Sequence, residues 1–177
     1  EFVFDRKDLI HLNKYDMLKG LRQNGTFLLN TQTSKEDIEQ LLPNRVKRQL
    51  AQKKAKFYII NAVDLAYEIG LGRRINTIMQ SAFFKLNDHL MDAEEANKYM
   101  KKYAEKTYGR KGDAIVQLNA AAIDAGYINL VEIINNEFIK IDKQYYIKNI
   151  KQGSTLLILY IYNNNLSSSR VDSRGIA

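Results

Sequence analysis

Apolar positions along this chain change period several times, and each change marks an element. Phe2-Val3-Phe4 reads as a cut strand, and Leu12 to Leu21 predicts a short helix. Asn24-Gly25 turns the chain into a second strand, Thr26 to Asn30. Ser34 with Asp37 three residues on is an N-cap signal that opens a helix at Lys35. Pro43 breaks or restarts that helix, and Val46 and Leu50 stand four residues apart on the next segment. Residues 57–61 form a compact β-branched and aromatic run, the pattern of a strand covered on both faces.

The second half of the pattern is helical. A helix over Val63 to Ile69 meets Gly70-Leu71-Gly72, which interrupts the chain. Beyond it Ile75, Ile78, Met79, Ala82, Phe83, Leu86 and Leu90 recur at helical spacing and predict about five turns with one continuous apolar face. Phe84 falls off that face. Asp92 with Glu95 repeats the capping pattern before Ala96, Tyr99, Met100 and Tyr103, a stripe that stops at Gly109. Gly112 to Ala125 supplies a last, Ala-rich helix with Ile115, Leu118 and Ala122 on one side. Strands alternating with helices predict an α/β fold: a partial doubly wound, Rossmann-like open sheet, mainly parallel, with flanking helices. Its first strands are expected upstream of residue 1.

The wording of the central stretch is specific. Lys56-Phe57-Tyr58-Ile59-Ile60-Asn61-Ala62, followed by Gly70-Leu71-Gly72-Arg73-Arg74-Ile75-Asn76-Thr77-Ile78-Met79-Gln80-Ser81-Ala82-Phe83-Phe84-Lys85-Leu86, resembles pyruvate:ferredoxin (flavodoxin) oxidoreductase. Lys14 to Gly20 with Gly25 to Asn30 is similar to the family's text just upstream. Lys106 to Gly112, with Asn119 and Ala122 to Gly126, is similar to its continuation downstream. The resemblance covers roughly residues 1 to 133. Departures are few: Asp5 to His11 does not follow the usual text, Thr77 stands where Met is frequent, and Arg74 duplicates a single basic position.

That resemblance implies an interior, gamma-type Rossmann-like domain of a large chain. The intact enzyme is expected to decarboxylate pyruvate oxidatively with coenzyme A to acetyl-CoA and CO2, passing electrons to ferredoxin or flavodoxin in anaerobic and nitrogen-fixing metabolism. It implies thiamine diphosphate, Mg2+ and [4Fe-4S] clusters held elsewhere, none by this chain alone, and an inactive isolated fragment. The implied partners are the remaining domains of the same chain and the electron carrier, in a homodimer. The implied compartment is the cytoplasm, or a hydrogenosome-type organelle in an anaerobic eukaryote.

Composition bears on the same reading. The chain has no cysteine, so it offers no thiolate for a cluster, a disulfide or nucleophilic catalysis. No Gly-Asp-Gly thiamine signature is present, and His11 and His89 are the only imidazoles, neither at metal-ligand spacing. The net charge is +7, of which residues 1–137 contribute +3 and residues 138–177 contribute +4. More than half of the basic excess thus sits in the tail, which weakens a nucleic-acid reading, since that needs a clustered basic face. The longest apolar run, Leu156 to Tyr162, falls far short of the roughly 20 residues of a spanning helix.

The domain boundary is drawn at 137. Residues 1–137 form the gamma-type domain, and residues 138–177 a divergent or artefactual tail. Its Ile, Lys, Asn and Tyr bias is what AT-rich DNA yields out of frame, and Ser168 to Asp172 fits a vector polylinker, as Glu1-Phe2 fits a cloning site. The rival is a genuine strand pair over Leu156 to Tyr162, which has high β-propensity.

The candidate chemistry lies in the turn from Gly70 to Asn76. Two glycines allow close backbone approach, the start of a helix favours an anion, and two arginines add charge of the right sign. With the resemblance, Gly70, Gly72, Arg73, Arg74 and Asn76 are candidate contacts to the phosphates of coenzyme A. The rival makes Gly70 a C-cap and the arginines a solvated first turn. Asn30 and Asn61, at strand ends, are placed either for a ligand or to cap the following helices. Asp92, Glu94 and Glu95 read as a helix start stabilised by its dipole. The alternative functions are a stand-alone nucleotide-binding module and a basic nucleic-acid binder.

Overall fold

The computed structural model describes residues 2–4 and 15–134. Four strands, β1 (Phe2–Phe4), β2 (Thr26–Asn30), β3 (Lys56–Ile60) and β4 (Val131–Ile133), form one sheet in the order β1-β2-β3-β4. β1, β2 and β3 are parallel, with Thr26 opposite Lys56 and Asn30 opposite Ile60. β4 runs antiparallel to β3, Phe57 facing Ile133. The helices are α1 (Lys35–Leu41), α2 (Asn44–Gln52), α3 (Ala62–Ile69), α4 (Asn76–Leu86), α5 (Ala93–Tyr108) and α6 (Asp113–Ile128), with one 3-10 turn at Gly109–Lys111.

Alternation along the central strands sends side chains to two separate cores. Phe27, Leu29, Phe57 and Ile59 meet Ile38 of α1 and Val46 and Leu50 of α2 on one face. The Phe27 and Phe57 rings stack across the strands with centroids 5.5 Å apart. Leu28 and Ile60 face the opposite way, onto Ala62 and Ala66 of α3, Ile78 and Met79 of α4, and Ala122 of α6. Helices on both faces of an open, mainly parallel sheet make this the α/β architecture that the strand and helix pattern predicts.

Helix starts follow the capping signals. Ser34 Oγ accepts from Asp37 N at 3.1 Å, Asn61 Oδ1 from Asp64 N at 3.1 Å, and Asp92 Oδ1 from Glu95 N at 2.9 Å. Pro43 separates α1 from α2 and stands at the N-cap of the latter.

Four expectations change. Residues 15–21 form turns, not the end of a helix over Leu12 to Leu21. Lys53 Nζ donates to the carbonyls of Leu18, Lys19 and Leu21, so a side chain takes acceptors that helical amides would otherwise use. Helix α4 stops at Leu86, after about three turns. Asn87 ends it by donating Nδ2 to Phe83 O at 2.8 Å, and Leu90 is exposed. On α5 the buried residues are Ala93, Ala96 and Ala104, whereas Tyr99 and Tyr103 stand 54% and 70% exposed. Small residues let α5 lie close to its neighbours, fastened by Lys101 to Asp124 at 2.7 Å. β4 is an element that the sequence pattern left unassigned, and the predicted tail, 138–177, lies outside the described residues.

Helices α4 and α6 cross in close contact. A Cβ at Gly126 would sit 2.1 Å from Ile78 O and 2.9 Å from Ser81 Cβ. Ser81 Oγ donates to Ile123 O at 2.5 Å within the same contact.

Candidate functional site

The turn from Gly70 to Asn76 joins α3 to α4. Gly70 caps α3 in the left-handed region with φ 92°, and Gly72 has φ 60°, a conformation that glycine adopts without strain. Leu71 between them is buried, and its amide donates to Ala66 O at 2.8 Å. One anchored leucine thus holds two permissive glycines in place. Arg73, Arg74 and Asn76 are exposed. Arg74 Nε donates to Leu71 O at 3.2 Å, which orients the guanidinium and leaves its terminal nitrogens for other partners. Ile75, the N-cap of α4, offers no side-chain cap, so the positive end of the helix dipole adds to the two guanidinium charges. The five candidate residues are therefore one contiguous cationic turn, and the C-cap role foreseen for Gly70 is real as well.

At the carboxyl ends of β2 and β3 the chain builds something different. After Asn30 it leaves toward α1 on one face of the sheet; after Ile60 it leaves toward α3 on the other. Exits that part in this way open a crevice, the usual ligand position in open α/β sheets. The cleft measures about 310 Å³ and is lined by Thr31 to Lys35 on one side and by Asn61, Asp64 and Glu68 on the other.

Both asparagines act as caps, though not symmetrically. Asn61 caps its own helix. Asn30, 2% exposed, reaches across to the neighbouring strand's helix, Oδ1 accepting from Ala62 N at 2.9 Å. Asp64 ties the two sides together: Oδ1 accepts from Gln32 Nε2 at 2.6 Å and Oδ2 from Asn61 Nδ2 at 2.7 Å. Thr31 Oγ1 accepts from Thr33 N at 3.0 Å, and Thr31 N donates to Ile60 O at 2.9 Å. Gln32 and Asp64 were not singled out from the sequence. The spacing of Asn61 and Asp64 was the available signal, since a cap followed three residues later by an acid marks a helix start.

The cationic turn does not belong to this cleft. Helix α3, eight residues or about 12 Å long, separates Asn61 from Gly70, and none of Gly70, Gly72, Arg73, Arg74 and Asn76 lines the crevice. A larger hollow of about 730 Å³ lies at the amino end of β2, between Gly20 to Thr26 and the Phe83 to His89 segment. His89 is exposed there, His11 lies outside the described residues, and no group of three His, Cys, Asp or Glu side chains that could hold a metal occurs among the described residues. No helix among them is long and apolar enough to cross a membrane. The Tyr58 phenol on β3 is pushed above its ordinary 10.0, chiefly by burial and then by Glu132 of β4, which accepts its hydrogen bond.

Comparison with known proteins adds the following. Residues 2–128 match the family model described as pyruvate ferredoxin/flavodoxin oxidoreductase. The chain is 46% identical over 138 residues to pyruvate:ferredoxin oxidoreductase of Moorella thermoacetica, a match that spans 75% of this chain and 12% of that protein. It is 44% identical over 127 residues to pyruvate-flavodoxin oxidoreductase of Trichormus variabilis, spanning 72% of this chain and 11% of the relative. Among solved structures, pyruvate oxidoreductase subunit PORC of Thermotoga maritima overlaps with a TM-score of 0.49 at 19% identity, over 64% of this chain and 55% of that one.

Proposed function

This chain belongs to the pyruvate ferredoxin/flavodoxin oxidoreductase family, and on that premise we propose that it serves as an interior, coenzyme-binding domain of a larger oxidoreductase. The whole enzyme would decarboxylate pyruvate oxidatively, join the acetyl group to coenzyme A, and pass the electrons to a small carrier protein. The chain spans about an eighth of the relatives that it matches, which supports a partnership with further domains of one polypeptide.

Thiamine diphosphate, Mg2+ and iron–sulfur clusters, which supply the decarboxylation and electron transfer, have no fit in these residues. No cysteine is available to ligate a cluster, and no carboxylate and imidazole set converges on a metal position among the described residues. The contribution left to this domain is to hold part of the co-substrate. The relatives named for ferredoxin and for flavodoxin share the domain at similar identity.

The observation that carries the coenzyme reading is the Gly70 to Asn76 turn. Two left-handed glycines, a buried leucine between them and two exposed arginines meet at a helix start whose N-cap residue, Ile75, makes no side-chain cap. Such an arrangement suits a phosphate, which accepts from backbone amides and from guanidinium groups at once. Gly70 and Gly72 let the backbone approach, Arg73 and Arg74 neutralise charge, and Asn76 offers an amide at the first helical position.

Titration of the full-length enzyme with coenzyme A tests this reading. Arg73→Ala and Arg74→Ala are each expected to weaken binding by about tenfold, as for a lost charge-assisted hydrogen bond. Unchanged affinity in both variants would return the turn to the role of a solvated helix start.

A further inference from the structure

The cleft between the exits of β2 and β3 is a second polar site, and we propose that it takes a ribonucleoside whose two ribose hydroxyls are unsubstituted. It stands independently of the phosphate contacts proposed at Gly70 to Asn76.

The cleft's hydrogen-bonding capacity decides the class of ligand. Four backbone donors at the cleft are already engaged: Ala62 N by Asn30, Asp64 N by Asn61, Thr33 N by Thr31 and Thr31 N by Ile60 O. Two carboxylates, Asp64 and Glu68, against the one cation Lys35 repel phosphate further. What remains unsatisfied is acceptor capacity. A carboxylate oxygen accepts two hydrogen bonds. Among the described residues each Asp64 oxygen has one donor, Gln32 at 2.6 Å or Asn61 at 2.7 Å, which leaves it capacity for a second. Both positions belong to one carboxylate, a group able to accept a pair of adjacent hydroxyls.

Thr31 supplies a second and separate indication. The residue is 3% exposed and yet lines the cleft. Its oxygen accepts from Thr33 N, while its own proton has no acceptor among the described residues. A buried hydroxyl normally has a partner for its proton, and a ligand oxygen in the cleft provides one. Leu65 and Val131 give the same cleft an apolar wall suited to the flat face of a base. The volume, about 310 Å³, lies at the lower end for small-molecule sites. A ribose diol on an acid at the end of a parallel strand, with the base against aliphatic side chains, meets each of these features. The ribose of coenzyme A carries a phosphate on one of the two hydroxyls and does not.

Equilibrium titration of the full-length protein with adenosine and with 2′-deoxyadenosine tests the assignment. Saturable binding of adenosine is expected, with the deoxynucleoside about tenfold weaker because one hydrogen bond to a charged acceptor is gone. Adenosine 3′-phosphate is expected to bind more weakly still. Asp64→Asn keeps the size of the side chain, and it should weaken adenosine and abolish discrimination between the two nucleosides. Equal affinity for adenosine and 2′-deoxyadenosine in the unaltered protein would overturn the proposal. So would absence of saturable binding, or adenosine affinity unmoved by Asp64→Asn. The nucleoside comparison needs no variant, so a folding defect in Asp64→Asn would not mask the outcome.

Discussion

Substituting Gly126 by alanine probes the α4–α6 crossing on which one of the two cores depends. The added Cβ would fall 2.1 Å from Ile78 O, where real contacts essentially never come under 3.0 Å, so the helices must part by about 1 Å. Neither neighbour can yield alone, because Ile78 O is backbone and Ile78, Ala82, Ala122 and Ile123 are all within 1% of complete burial. Forced separation of a packed core costs about 1–3 kcal/mol. It also stretches the bond from Ser81 Oγ to Ile123 O, which adds about 1 kcal/mol. Alanine gains about 1 kcal/mol over glycine in a helix interior, which offsets part of this. The net loss is about 1–3 kcal/mol, or roughly 5- to 140-fold in the local opening equilibrium. Amide hydrogen exchange of the full-length protein, followed on peptides from α4 and α6, reads that factor directly. Exchange that stays the same or slows would refute the reasoning, since the intrinsic helix preference would then outweigh the steric cost.

Two further substitutions test how polar groups are held. Lys53→Met keeps the aliphatic stem and removes the ammonium that gathers three carbonyls of the 18–21 turn; a loss of about 2 kcal/mol in urea denaturation is expected, and an unchanged midpoint would show the ammonium to be dispensable. Lys47, 6% exposed on α2, is depressed below its ordinary 10.5 by burial, with Glu39 acting the other way. Below the depressed value the folded state carries the buried charge and its cost; between that value and 10.5 the unfolded chain binds the extra proton, so stability rises with pH. Lys47→Met is therefore expected to stabilise the protein by about 1 kcal/mol at neutral pH, with the gain shrinking as pH approaches 10.5. A gain independent of pH would remove the protonation argument.

Elements whose boundaries depend on local chemistry were legible in the sequence. Ser34, Asn61 and Asp92 fix helix starts through bonds to amides three residues away, and a reader of the sequence sees both partners. Residues 15–21 were not legible, because the group that claims their carbonyls, Lys53, is more than thirty residues distant. The length of α4 was overestimated because Leu90 continues the period although Asn87 has already ended the helix. Tyr99 and Tyr103 misled for a related reason: helical spacing identifies a stripe, but Ala93, Ala96 and Ala104 allow closer packing and take the inner side. At the candidate site, the two glycines and two arginines were visible as a motif. The cleft was not, since it exists only where two strands, thirty residues apart in the chain, send their exits to opposite faces.

Asn30 and Gln32 bolt one wall of that cleft to the other, the first through Ala62 N and the second through Asp64. Cross-bracing of this kind opposes both widening and closure of the mouth. The proposed occupant would meet an aperture already formed and be selected by outline more than by motion of the frame.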